Sequence, residues 1–480
     1  MNYRTIRRTV GIILCIEAAF MLPSLILAVT DGDAVVIKAF VIAQLALLVC
    51  ALPLALIGRR RSQLGPRDGC VTVALAWMIM SLFGAIPFWL SGALPNYADA
   101  VFETVSGFST TGATILSDVE TVPRALLLWR SVTNWMGGMG VLVFLLAIVP
   151  FSQEGGSMFL LKAEFPGPMA VKLVPRMQKS AKLLYEIYIL MTVAQALLLI
   201  AGGVPVFDSV NISLSTVSTG GFSIKNDSLI SYGRYAQDVT LVFMALCSMS
   251  FSIFYCLIVR EFARIRKNRE LRLFIAVVAA AALVVGISSA QNFGSVGDNI
   301  HHSLFQVVSI ISTTCYTSID ASFWQPFVWS LLIVLMITGP MAGSTGGGMK
   351  LSRVMILAKS SYRAIATTIV PGRILPVRFE GEAVDEDTVS AVNSFAVVYL
   401  FALVATAVIL SIDGLNFGQG VTVAISAIGN IGYGLDAGTF TYGVSGLSLV
   451  GKIVLCFDMF LGRLEIFPLL ILFAPATWRK

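Results

Sequence analysis

Four times along this chain an apolar stretch too short to cross a bilayer stands between two that are long enough. The short stretches lie at 98–108, 208–217, 300–312 and 418–428, each leading into a turn of glycine, threonine, serine or asparagine. A membrane helix needs roughly 20 apolar residues, so a stretch of about 11 enters the membrane only as a re-entrant piece. Backbone that is not helical at that depth is tolerated only where it is buried in protein or lines a watery cavity. The long runs around these pieces fall at 71–91 and 124–150, 182–203 and 237–263, 272–291 and 326–364, and 389–411 and 448–474. A unit recurring roughly every 100 residues is an internal repeat. The expected division is two N-terminal transmembrane helices in 1–66 and repeats at 67–155, 156–268, 269–370 (with a broken final helix) and 371–480.

Composition agrees with that reading. The chain is 57% hydrophobic and 12% charged, against about 25% charged in an average soluble domain. It reads as an all-α integral membrane protein. The first apolar run, 9–29, is too long for a signal-peptide core and no clean cleavage site follows it, so it reads as a retained helix, with a second at 36–57. Seven cysteines are scattered without a C-x-x-C spacing, which indicates neither a disulfide framework nor a zinc site. With only His301 and His302 present, a metalloenzyme or histidine-based hydrolase is not expected, and both histidines read as outer-mouth polar residues preceding the third short helix.

Lysine and arginine orient the chain. Arg4, Arg7, Arg8, Arg59, Arg60, Arg61 and Arg67 flank the first two helices, and further basic clusters join the repeats: Lys162 to Lys182, Arg260 to Arg272, Lys350 to Arg378. All fall on one side of the proposed topology, which makes that side cytoplasmic. This bias accounts for the net charge of +6, which therefore says nothing for nucleic acid. The opposite loops carry Asp31, Asp33, Asp99, Asp118, Glu120, Asp208, Asp227, Asp298, Asp320 and Asp436. Such a mouth would concentrate cations; the plainer alternative is that outer loops need polar residues.

The turns are where the chemistry is expected. They read Ser109-Thr110-Thr111-Gly112-Ala113-Thr114, Ser218-Thr219-Gly220-Gly221-Phe222-Ser223, Thr313-Thr314-Cys315-Tyr316-Thr317 and Asn430-Ile431-Gly432-Tyr433-Gly434. Aiming successive carbonyls at one axis requires a residue with positive φ, which glycine adopts without steric cost. Hydroxyl side chains can ligate a cation or brace the turn. The short helix before each turn points its negative end at the axis, which favours a cation. Glycine and threonine are also ordinary packing residues in membrane helices; four turns at matched places argue against that alternative. The Gly432-Tyr433-Gly434 stretch resembles the filter of potassium channels, where backbone carbonyls replace the ion's water shell.

Three further stretches extend the resemblance over nearly the whole chain: 129–140 (WRSVTNWMGGMG), 343–350 (GSTGGGMK) and 461–467 (LGRLEIF). With the turns, they resemble the TrkH/TrkG/KtrB superfamily of potassium-translocating subunits, on its TrkH branch. The resemblance implies four non-identical membrane-pore-membrane repeats around one pseudo-fourfold pore, plus the two N-terminal helices. It implies a multi-pass protein of the bacterial cytoplasmic (inner) membrane, a homodimer, and a cytosolic RCK-type nucleotide-binding regulatory subunit. No covalent cofactor is implied; potassium is the transported ligand, with sodium and rubidium as further candidates. Filter residues carry over as Thr110, Thr111 and Gly112; Thr219, Gly220 and Gly221; Thr313, Thr314 and Cys315; and Asn430, Ile431 and Gly432. Cys315 departs from the pattern, standing where a glycine is usual. A side chain at positive φ costs about 1–2 kcal/mol; otherwise the third turn takes another path and one carbonyl leaves the ring. Either way, weaker discrimination between potassium and sodium is expected.

A gate is expected below the filter. Pro340 and the glycines up to Gly348 cannot continue the helix of the third repeat. The stretch lacks the ending of a phosphate-binding loop, and no strand precedes it. It reads instead as the family's intramembrane gate loop: Gly343, Ser344, Thr345, Gly346, Gly347 and Gly348, with Lys350 at its inner end. An ionisable group inside a membrane is expensive and points to function. The family places the arginine matching Arg463 on the pore wall facing this loop; the alternative is a structural pair with Asp458 or Glu465. The expected function is potassium transport through a gated single-file pore. The alternative is a secondary symporter coupling potassium to protons or sodium, since broken helices beside a midplane charge are also found in alternating-access transporters. No enzyme constellation of nucleophile and base, or of metal ligands, was found in the pattern.

Overall fold

A computed structural model describes residues 1–57, 65–140, 177–370, 375–432 and 444–478. Apart from a short hairpin pairing Arg378–Phe379 with Glu382–Ala383, the regular elements of these residues are helices. Six described helices are long and apolar enough to cross a membrane, or seven if one bent pair is counted as a single span. The first two, Tyr3–Asp31 and Ala34–Ala55, pack along each other.

The short apolar stretches form helices at Tyr97–Phe108, Val206–Val217, Val296–Ile311 and Phe417–Ile428. Their starts are set by local chemistry: Asn96, Ser295 and Asn416 cap three of them with side-chain oxygens, and Pro205 precedes the fourth. All four end in the turns singled out above. Both histidines lie within the third of these helices instead of before it, and His301 is buried. Its ring meets Asp238 at 2.8 Å and Gln237 at 3.0 Å, both on a neighbouring helix.

Each short helix packs against the long helices of its own repeat and also against the second long helix of the preceding repeat. Thus Val206–Val217 meets Arg124–Gly138, Val296–Ile311 meets Arg234–Cys247, and Phe417–Ile428 meets Pro326–Thr338. Tyr97–Phe108 meets Leu449–Arg463, which joins the last repeat to the first and closes the ring.

The second long helix is interrupted in the second, third and fourth repeats, which was expected only for the third. The run expected over 237–263 divides into Arg234–Cys247 and Phe251–Ile258, bent by 91°. The run expected over 448–474 stops at Arg463 and restarts at Phe467. In the third repeat the break runs from Thr338 to Leu351. The first repeat's helix ends at Gly138; the rest of the expected 124–150 run lies outside the described residues. Apolarity alone hides these breaks because the interrupting residues are themselves buried, and their freed backbone groups find partners on other elements. Phe251 N–H donates to the Gly343 carbonyl (2.9 Å), and the Ser248 carbonyl accepts from Met341 N–H (3.1 Å).

Candidate ion-binding site

The four turns share one backbone recipe. Positive φ occurs at Thr110 and Gly112, at Thr219 and Gly221, at Thr313 and Cys315, and at Asn430 and Gly432. Alternating left-handed residues turn successive peptides of an extended segment so that their carbonyls project to the same side, which a regular strand cannot do. A serine six residues before the last of each pair supports the turn. The Ser106 carbonyl accepts from Thr111 and Gly112, that of Ser215 from Gly220 and Gly221, and that of Ser309 from Thr314 and Cys315; that of Ser426 accepts from Ile431.

These turns converge. A Cβ added to Gly112 would lie 1.9 Å from the Gly220 carbonyl oxygen. On Gly221 it would lie 1.7 Å from that of Thr314, and on Gly432 2.0 Å from that of Thr111. Each glycine thus faces a carbonyl of an adjoining turn at a separation no side chain fits. Cys315 keeps the same left-handed backbone, with φ 58°. The first of the two expected outcomes for this position therefore holds: the strand keeps its path and the side chain carries strain of about 1–2 kcal/mol. Space that the other three turns close is held open here for a Cβ and a sulfur. Tyr433, Gly434 and the outer acidic residue Asp436 lie outside the described residues, as do Arg59, Arg60, Arg61, Lys162 and Lys172.

The loop 343–348 lies directly beneath. Gly347 N–H donates to the Thr313 hydroxyl (3.1 Å), and a Cβ on Gly347 would lie 2.4 Å from the Gly429 carbonyl oxygen. The Thr345 hydroxyl donates to the Val217 carbonyl at 3.2 Å, at the foot of the second turn. Ser344, Thr345, Gly346, Gly347 and Gly348 are all buried. The expected flexible loop is, in this state, packed against the feet of three repeats.

Arg463 reaches this loop. Its guanidinium donates to the Thr345 carbonyl (2.8 Å), the Gly138 carbonyl (2.7 Å) and the Gly137 carbonyl. It so joins the fourth repeat, the first repeat and the loop. The two carboxylates considered as its structural partners are engaged elsewhere: Asp458 accepts from the Thr406 hydroxyl (2.7 Å), and Glu465 pairs with Lys350 (3.3 Å) and Arg353. Lys350, with φ 67°, begins the helix Leu351–Ile369, so its pair with Glu465 pins the exit of the loop.

Residues 36–480 match the TrkH family, described as cation transport proteins. The chain is 34% identical over 490 residues to the Trk system potassium uptake protein TrkH of Halomonas elongata, and 32% identical over 493 residues to that of Escherichia coli K12. Each alignment covers the whole of both proteins. The crystal structure of the potassium transporter TrkH from Vibrio parahaemolyticus superposes with a TM-score of 0.89 at 30% identity, over the full length of both chains. This chain belongs to the TrkH family.

Within this TrkH-family chain, two functional features escaped the sequence reading. One is the buried pair of Glu103 and Arg130, 2.7 Å apart, which clamps the first two turns together. Glu103 accepts from the Thr114 hydroxyl, at the end of the first turn, and from Ile115 N–H just after it, while Arg130 donates to the Ser223 carbonyl, at the end of the second, and covers the Phe222 ring. A charge of each sign on adjacent helices of an apolar repeat was the available signal. The other is that the acidic outer residues are largely engaged. Asp99 pairs with Lys452 (2.7 Å), Asp298 with Arg234 (2.6 Å) and Asp31 with Arg124 (3.3 Å). Asn226 donates to Asp118 at 2.8 Å and so holds its carboxyl below the usual carboxylate range. The field expected to gather cations at the mouth is correspondingly offset. Among the described residues, no cluster of three histidine, cysteine, aspartate or glutamate side chains could hold a metal ion.

Proposed function

We propose that this chain carries potassium across the bacterial inner membrane through a single-file pore. In this reading the carbonyls at Thr110, Thr111 and Gly112, at Thr219, Gly220 and Gly221, at Thr313, Thr314 and Cys315, and at Asn430, Ile431 and Gly432 form the selective site. The repeats are assigned to 67–155, 156–268, 269–370 and 371–480. What carries the reading is the recurrence of positive φ at matched positions in all four turns, since that geometry serves a carbonyl ring and costs energy otherwise. The loop 343–348, with Lys350 and Arg463, is assigned as the gate: it occupies the space beneath the turns, and Arg463 adds a positive charge that raises the barrier for a cation. Potassium as the ion is supported by the relatives' names, Trk system potassium uptake protein. "Trk system" also supports an assembly, and family resemblance extends this to a homodimer with a cytosolic RCK-type nucleotide-binding subunit.

Tracer flux of rubidium against sodium into liposomes holding the purified chain tests the reading; equal flux of the two ions would overturn it. The symporter alternative is less well supported. The buried carboxylates Glu17, Glu103, Glu270, Asp458 and Glu465 all stand outside the four turns. Unitary currents in a planar bilayer would exclude alternating access.

A further inference from the structure

The loop 343–348 is entered through Ala342, whose buried backbone N–H has no helix to pair with. It donates instead to the Glu270 carboxylate at 2.8 Å. Glu270 is fully buried near the start of the helix Arg269–Ser289. A buried carboxylate is costly unless hydrogen-bonded, and an unpaired buried N–H is costly too. Each group therefore holds the other, and the loop cannot swing from beneath the turns without breaking the contact.

Glu270 is held in turn from the basic face of the protein. Its own N–H, and that of Arg269, donate to the Glu380 carboxylate at 3.0 and 2.9 Å. Glu380 sits at the tip of the Arg378–Phe379/Glu382–Ala383 hairpin with φ 53°. A carboxylate supplied from 110 residues away thus satisfies N–H groups that an isolated helix start leaves open. At its base the hairpin grips the helix that leaves the loop: Val377 and Phe379 pack with Ile356, Val389 and Val392, and Lys359 donates to the Arg378 carbonyl (2.8 Å). The hairpin therefore touches the helix carrying the loop's exit and, through Glu380, the residue that fastens its entrance.

We propose that Glu270 is a positioning residue that latches the loop beneath the turns, and that the Glu380 hairpin is the handle that sets this latch. The proposal rests on the assignment of 343–348 as the gate. Displacing the hairpin tip uncaps the first turn, frees Glu270 to shift and releases Ala342; a partner binding the basic face would act on the hairpin.

The full chain in liposomes, with no other protein, is assayed for resting rubidium flux. Glu270→Ala should raise it by roughly tenfold, the effect of one charge-assisted hydrogen bond lost from the closed state. Glu270→Gln, which still accepts from Ala342 N–H, should rise less, and Glu380→Ala should rise by a few-fold. Combining Glu270→Ala with Glu380→Ala should give no more than Glu270→Ala alone, because both act through one contact. The rubidium-to-sodium ratio should stay constant throughout, which general loosening of the turns would not allow. Unchanged flux in folded Glu270→Ala, fully additive effects, or a shifted ion ratio would each overturn the latch. Should Glu270→Ala not fold, Glu270→Gln and Glu380→Ala carry the test, and wild-type flux in both rejects it. Arg463→Ala separates the two readings: if it raises flux while the Glu270 variants do not, the latch fails and the gate stands. If Arg463→Ala also leaves flux unchanged, the gate assignment itself fails.

Discussion

Three of the four turns close on one another through glycine, and the third does not. Gly112, Gly221 and Gly432 each bring a neighbouring carbonyl to within 2.0 Å of where a Cβ would stand, while Cys315 holds the same backbone with a side chain in place. The third repeat differs below the turns as well. The second and fourth repeats interrupt their second helix only over 248–250 and 464–466, whereas the third inserts the loop of 339–350. One repeat has thus departed from the common plan at two levels, and the other three keep the ring in shape around it. The comparison teaches that one architecture tolerates specialisation where neighbours are braced, as the Glu103–Arg130 clamp braces the first two turns.

The comparison breaks most severely at a glycine turn. Gly221→Ala places a methyl 1.7 Å from the Thr314 carbonyl oxygen and asks alanine to hold φ 70°. Overpacking of this kind costs about 3 kcal/mol or more where backbone must move, so rubidium uptake should fall by roughly a hundredfold. Uptake within threefold of wild type would mean that the turns do not pack as a ring. Breaking the clamp comes next. Glu103→Gln leaves Arg130 buried without its counter-charge, and removing one partner of a buried pair costs about 3–5 kcal/mol. Thermal unfolding of the solubilised protein should shift down by several degrees, with selectivity lost along with stability; an unshifted transition would remove the clamp from the account. Arg463→Ala sharpens the lower level: on the gate assignment, removing a unit charge beside the cation path is worth on the order of 1–2 kcal/mol, so resting flux should rise by roughly tenfold. Lowered expression with unchanged flux per molecule would return Arg463 to a structural role.

Much of this arrangement was legible in the sequence, for identifiable reasons. The short helices were readable because length against bilayer thickness is a hard constraint, and 418–428 cannot be mistaken for a span. Turn positions were readable from glycine, the residue a left-handed backbone prefers. The breaks at Ser248 to Ser250 and Leu464 to Ile466 were not, because neither contains the glycine or proline that marks the end of a helix, and one or two polar residues do not interrupt a long apolar run. Ile466 even holds φ 70° as a β-branched residue, a conformation no local preference would suggest. Partners of buried charges were equally hidden. Glu465 stands two residues from Arg463, yet it pairs with Lys350 and Arg353 more than 110 residues away. Contacts of that separation are set by the ring, and the pattern along the chain carries no trace of them.

Cys315→Gly is the gentlest test and bears most directly on the comparison. Glycine at φ 58° relieves about 1 kcal/mol of backbone strain while giving up the contacts of the thiol, so the net change in stability should be small. Its effect should instead appear in the ion ratio. With a glycine in place, the third turn can approach its neighbour as closely as the other three do, and the carbonyl ring becomes more uniform. A ring that fits one ion radius better discriminates more, so the rubidium-to-sodium flux ratio should rise by a few-fold, corresponding to on the order of 1 kcal/mol. If the ratio does not change, the space held open at Cys315 plays no part in selection. The third turn would then owe its difference to the loop beneath it, where Gly347 N–H donates to Thr313.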